Sequence, residues 1–207
     1  MSDSEWLAWA KRLRAIAQTG REYSRDGYDL ERYDELRDIS EAMLARLMDE
    51  EPGRIAELFL PEKGYPTPKV DLRAGVFDGD RVLLVRETSD GRWSLPGGWA
   101  DEHDSPKQGT EREVLEESGY VVDAVKLVAI KDRHLHPYTP QRLERIYKLF
   151  FLCEVRGGAP QASIETSEVG WFCVDDLPEL SVGRTLAADV EHLFSHQKQR
   201  SLPVTFD

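Results

Sequence analysis

Apolar residues recur along the first fifty positions at steps of three and four. Between residues 5 and 19 the apolar set is Trp6, Trp9, Ala10, Leu13, Ile16 and Ala17, with Lys and Arg on the intervening positions. That is the period of an amphipathic helix. Tyr33, Leu36, Ile39, Met43, Leu44 and Leu47 repeat it from about 29 to 50, where Glu51-Pro52-Gly53 ends the pattern. Two helices of this length cannot enclose a core by themselves. The segment PEKGYPTP at 61–68 holds three prolines and a glycine, a punctuation that separates a helical arm over 1–62 from a main domain over 67–207.

Beyond that boundary the period drops to two. Val70, Leu72, Ala74 and Val76 alternate with other residues, Asp78-Gly79-Asp80 turns the chain, and Val82 to Val85 returns as a buried run, together a hairpin. Further strands are expected at 121–130, 145–155 and 169–174, with helices at 105–118 and 185–196. Strands mixed with few helices predict an α+β sandwich.

Composition narrows the function. With 27 Lys and Arg against 39 Asp and Glu, the 207-residue chain carries a formal charge of -12, which disfavours sequence-independent adhesion to nucleic acid or anionic membrane. A polyanionic substrate would therefore need cations. Cys153 and Cys173 fit no metal or redox spacing, and MSDSEWLAWAKRLR lacks the apolar stretch of a signal peptide, so a reducing cytoplasm is the expected location. No apolar run approaches the roughly 20 residues of a membrane span.

One charged stretch resists a bland explanation. REVLEESGY, residues 112–120, follows Ser105-Pro106-Lys107-Gln108, a capping signature, and stops at Gly119. Glu113, Glu116 and Glu117 stand at i, i+3 and i+4, which projects three carboxylates from one helix face at a cost of roughly 0.2–0.5 kcal/mol per repelling pair. A solvated acidic face is the simple reading. Against it stand Arg112, one turn from Glu116, and the Leu95-Pro96-Gly97-Gly98 exit upstream. A hard divalent cation bound by carboxylate and carbonyl oxygens accounts for the crowding.

The spacing carries a resemblance. Gly98, Asp104 and Arg112-Glu113-Val114-Leu115-Glu116-Glu117-Ser118-Gly119-Tyr120 resemble the 23-residue Gly…Glu…REuxEExGu box of the Nudix hydrolases. LPGGW before the box and SEVGWFCVDDLPEL after it extend the likeness over about 68–175. The resemblance implies an α/β/α sandwich with a mixed sheet, and hydrolysis of a nucleoside diphosphate linked to a group X. It assigns Mg2+ or Mn2+ to Glu113, Glu116, Glu117 and the Gly97 carbonyl, catalytic roles to Arg112, Glu116 and Glu117, and structural roles to Gly98, Asp104 and Gly119. Asp104 departs from the family's glutamate by one methylene, which suits a partner of the motif arginine better than a ligand. Gly109 inside the helix costs about 1 kcal/mol relative to alanine, and close packing against the sheet would explain it. For the general base the resemblance leaves one of the box glutamates or a residue of another loop; Glu165 and Glu168, just before a predicted strand, lie in the region from which some members recruit a fourth carboxylate, and Glu168 is preferred.

The arm resembles the helical N-terminal region of bacterial Nudix hydrolases of X-linked nucleoside diphosphates, CDP-choline pyrophosphatases among them. That likeness implies a homodimer and an arm that edges the substrate pocket. CDP-choline or ADP-ribose are the implied substrate types. Tyr23 and Tyr28, between the arm helices, are expected to stack on a nucleobase. In the loop after the strand that follows the box, Arg133 and Tyr138 are expected to touch substrate, alongside His134 and His136. A non-catalytic nucleotide-sensing module and a hydrolase of RNA remain the alternatives.

Overall fold

The computed structural model describes residues 3–51, 53–55 and 64–207. Glu62, the expected end of the arm, and the first residues of PEKGYPTP lie outside them. The chain divides into two compact units, Met1–Thr67 and Pro68–Asp207.

In the first unit α1 (Asp3–Tyr23) and α2 (Gly27–Met48) form an antiparallel pair. Asp26 caps α2, its side chain accepting from the amides of Tyr28 and Asp29 at 2.9 and 3.1 Å. The buried seam is built from small residues, Ala10, Ala17 and Ala45, together with Leu44. Gly20 permits the approach: a Cβ there would lie 2.3 Å from the Tyr33 ring. Trp6, Trp9 and Ile16, counted above in the apolar stripe, are 40%, 45% and 47% exposed. Close helix contact needs short side chains, so the large ones are left on the rim.

The second unit contains β1 (Lys69–Asp78), β2 (Arg81–Glu87), β3 (Trp93–Ser94), α3 (Pro106–Ser118), β4 (Tyr120–Asp132), β5 (Ile146–Gly158), β6 (Thr166–Cys173), α4 (Ala187–Lys198) and β7 (Thr205–Phe206). The strands form a mixed sheet in the order β3-β2-β1-β5-β4-β7, with β6 on β2. β1 and β5 run parallel; β4 and β5 are antiparallel. Alternation along the strands sorts the core onto two faces. Val82, Leu84, Phe150 and Leu152 pack with Val190 and Leu193 of α4, whereas Leu72, Leu83, Phe151 and Cys153 pack with Val114 of α3. An α/β/α sandwich results.

The expected hairpin of β1 and β2 is real but short. Only Phe77↔Val82 and Asp78↔Arg81 pair, whereas β6 pairs with β2 from Arg81 to Glu87. The open edge of β1 is taken by the segment after β3: the amides of Leu72 and Ala74 donate to the carbonyls of Gly98 and Pro96 at 2.8 and 2.9 Å, and the Ala100 amide to Val70 at 2.9 Å. This ladder fixes the Gly97-Gly98 loop against the sheet.

Candidate active site

α3 begins at Ser105, whose hydroxyl accepts from the Gln108 amide while the Gln108 side chain returns to the Ser105 amide, and it ends at Gly119 with φ 75°. Gly109 lies where a Cβ would come within 2.7 Å of Leu72 Cδ1, so a glycine lets the helix sit close to β1. Of the three glutamates, Glu113 and Glu117 are buried and face the loop, while the Glu116 side chain is 57% exposed. The Gly97 amide donates to Glu117 Oε2 at 2.8 Å. A Cβ on Gly98 would stand 2.8 Å from Glu113 Oε2. The two buried carboxylates therefore clasp a loop that has no side chains.

Arg112 holds the outer members. Its Nη1 lies 3.0 Å from Glu113 Oε1 and 2.9 Å from Glu116 Oε2, and its Nε donates to Asp104 Oδ2 at 2.9 Å. Burial pushes the Glu117 carboxyl up to about 8; Arg73 and the Gly97 amide pull it down, and Glu87 and Glu113 push it further up. Burial also raises Glu113, against the pull of Arg112. Two carboxylates stripped of water beside each other favour a proton or a cation in their place. The donor set is all oxygen, so it fits a hard divalent ion held by Glu113, Glu116, Glu117 and a loop carbonyl. Asp101, His103 and Asp104 also converge, with ligand atoms within 4.8 Å of one another, but Arg112 already pairs with both aspartates.

Behind the glutamates runs a buried charge network that the sequence reading did not single out. Asp71 accepts from Arg73 Nε at 2.7 Å and from the fully buried Lys148, and Arg73 also donates to the Leu95 carbonyl at 3.0 Å. Glu87 accepts from Ser94 at 2.6 Å and pairs with Arg184 at 3.1 Å. Asp71, Arg73, Glu87 and Arg184 open onto the same cleft as the glutamates, a space of about 680 Å3.

The chain that folds into this cleft is similar to known proteins over its whole length. Residues 68–192 match the family model described as NUDIX domain. The chain belongs to the Nudix family. Residues 4–59 match a second model, described as "UDP-X-like, N-terminal oligomerisation domain". A Bacillus subtilis protein named "Putative ADP-ribose pyrophosphatase YjhB" is 40% identical over 204 residues, covering 99% of this chain and 98% of that one. The crystal structure of an ADP-ribose pyrophosphatase from Streptococcus suis is 41% identical with a TM-score of 0.63, covering 68% of this chain and all of its own. That of a UDP-X diphosphatase covers 100% of both chains at 29% identity and a TM-score of 0.63. This Nudix chain is a hydrolase of the pyrophosphatase type, and none of its described helices is long and apolar enough to cross a membrane.

Several residues singled out from the sequence of this Nudix chain lie elsewhere. Tyr138 is fully buried and donates its hydroxyl to Asp189 at 2.7 Å, so it belongs to the core beneath the cleft and not to a substrate surface. Glu168 pairs with Arg86 across the β2–β6 ladder at 2.6 Å, whereas Glu165, three residues earlier, lines the cleft. Glu165 precedes β6, whereas Glu168 stands on it opposite Arg86. His134 and His136 bind the Arg142 carbonyl and the Asp207 carboxylate at about 3.0 Å and tether their own loop. Arg133 lines the cleft but is only 2% exposed; its Nη2 donates to the Pro140 carbonyl, and its Nη1 is buried without a hydrogen-bond partner. Tyr23 and Tyr28 are 66% and 74% exposed on the N-terminal unit.

Proposed function

We propose that the protein hydrolyses a nucleoside diphosphate linked to X, of the ADP-ribose or CDP-choline type, to a nucleoside monophosphate and phospho-X, using Mg2+ or Mn2+. The clasp of Glu113 and Glu117 on Gly97-Gly98, inside a polar cleft of about 680 Å3, carries this reading. The names of the Bacillus and Streptococcus proteins and of the UDP-X diphosphatase support it. A divalent ion held by Glu113, Glu116, Glu117 and the Gly97 carbonyl supplies counter-charge and Lewis acidity for a diphosphate. Arg112 keeps Glu113 and Glu116 oriented, and Arg73 places a buried positive charge behind Glu117. Arg133 and Arg184, which line the cleft, supply cations for phosphate oxygens. Glu165, whose backbone carbonyl is pinned by Thr88 at 2.9 Å, takes the proton from the attacking water.

The exposed Trp6, Trp9 and Ile16 of α1 pair two copies of the chain, a reading supported by the description of the matching N-terminal model. Phosphate release after phosphatase coupling, from ADP-ribose, CDP-choline and UDP-sugars, tests the activity. Glu117→Gln and Glu165→Gln should lower kcat by roughly 100-fold or more, while Glu168→Gln keeps it. Turnover of none of these substrates, or full activity of Glu117→Gln, overturns the reading. Trp6→Glu with Trp9→Glu should halve the mass measured by light scattering.

A further inference from the structure

Charged side chains dominate the cleft, and of the large apolar ones that line it three stay open to water. Trp99, Leu115 and Ile164 line it while remaining 43%, 48% and 96% exposed. Trp99 is the aromatic side chain of the lining among the described residues. An indole held open to water beside a phosphate-binding cradle has a specific use, because it offers a π-face to a flat ring.

Trp99 is also held in place. The Gly98 carbonyl accepts from the Leu72 amide at 2.8 Å and the Ala100 amide donates to Val70 at 2.9 Å, so hydrogen bonds to β1 flank the tryptophan on both sides. Lys69 Nζ stands 5.8 Å from the centre of the ring, within the range of a cation–π contact. Consecutive Cα atoms are about 3.8 Å apart, and the preceding residue, Gly98, abuts the Glu113 carboxylate. Trp99 and the carboxylates of Glu113 and Glu117 line the same cleft. A nucleotide spans such a cleft with its base and its phosphates at different points of the lining.

We infer that Trp99 is the nucleobase platform of this cleft: the base of the nucleoside diphosphate stacks on the indole, and Ile164 supplies an apolar contact at the rim. The inference rests on the proposed hydrolysis of nucleoside diphosphates and adds how the nucleoside half is held. Stacking reads the face of a base and not its edge, so purine and pyrimidine nucleotides are both accepted. Tyr23 and Tyr28 on the N-terminal unit are the competing platform.

Calorimetric binding of AMP, UMP and ribose 5-phosphate to the full chain in Mg2+ tests this. Trp99→Ala should weaken AMP and UMP by roughly 5- to 150-fold and leave ribose 5-phosphate, which has no base, unchanged. Trp99→Phe should keep most of the affinity, and AMP should quench tryptophan fluorescence in the wild type but not in Trp99→Phe. The base-free ligand controls for folding, since a distorted cradle would lose all three. Equal loss for ribose 5-phosphate, no loss for AMP, or an AMP-specific loss in Tyr23→Ala or Tyr28→Ala overturns the assignment. Binding is read without turnover, so failure of the hydrolase reading and failure of the Trp99 platform give different results.

Discussion

Gly97→Ala is the sharpest single perturbation of the proposed active site. Gly97 has φ 142°, a conformation that L side chains rarely adopt, and a Cβ there would lie 1.9 Å from the Leu72 carbonyl oxygen. Contacts under 3.0 Å are essentially never seen, so the two must separate by at least 3.0 − 1.9 = 1.1 Å. Leu72 cannot yield, because β1 is paired residue for residue with β5 from Lys69↔Ile146 to Val76↔Cys153. The loop moves instead and strains the bonds from Leu72 and Ala74 to Gly98 and Pro96, and from Gly97 to Glu117. Backbone strain of about 1–3 kcal/mol, with each weakened bond adding about 0.5–1.5 kcal/mol, gives a loss on the order of 3 kcal/mol. For a chain of this size that lowers Tm by roughly 6–12 °C. The functional loss is larger, because a displacement of about 1 Å in a positioned group costs on the order of 100-fold in rate. Thermal melts with and without Mg2+, and kcat/KM on the best of the tested diphosphates, measure both. Gly98→Ala is the contrast: its Cβ meets the flexible end of Glu113 at 2.8 Å, so Tm should stay while the Mg2+ requirement rises. A Gly97→Ala protein within about threefold of wild-type activity, well short of that 100-fold loss, would refute the clasp as the organising feature of the site.

The buried network makes its own demands. Asp71→Asn leaves Arg73 and Lys148 without their shared carboxylate in the interior, which should cost about 3–5 kcal/mol; Lys148→Met added to it should recover part of the loss, and strict additivity in melts would refute the coupling. Glu117, pushed up to about 8 from 4.5, keeps a proton that the unfolded chain releases. Its contribution to stability is present below pH 4.5 and lost as pH rises through 8, on the order of 5 kcal/mol, so melts in chelator should fall over that window and Glu117→Gln should flatten the slope. An unchanged slope in that variant would assign the effect elsewhere. Tyr138→Phe removes the hydroxyl given to Asp189 at a cost of about 1–3 kcal/mol while kcat/KM stays unchanged; a selective rise in KM would return Tyr138 to the substrate site.

Short-range chemistry made the carboxylate helix readable from the chain alone. Ser105, Gln108 and Gly119 bracket α3 through contacts within a few residues, and Glu113, Glu116 and Glu117 follow from its pitch. The strand runs and the turn at Asp78-Gly79-Asp80 are equally local. The pitch does not say which carboxylates are buried: Glu113 and Glu117 face the loop and Glu116 does not, because β1 and Gly97-Gly98 cover one side of the helix.

Strand parity was legible as well, but its meaning was not. Asp71 and Arg73 occupy alternate positions between Val70, Leu72 and Ala74, the pattern of a solvent-facing edge. They are instead buried, because the strand bearing Lys148 lies alongside β1 and the loop after β3 closes its other edge. Tyr138 sits in a loop, but its burial could not be read from the chain because Asp189, its partner, lies 51 residues on. Glu168 and Glu165 look alike until Arg86, 82 residues from Glu168, is set opposite one of them. Capping, pitch and alternation are properties of neighbouring residues and are written in the chain; which charge is buried, and against what, depends on contacts between segments whose separation leaves no local signature.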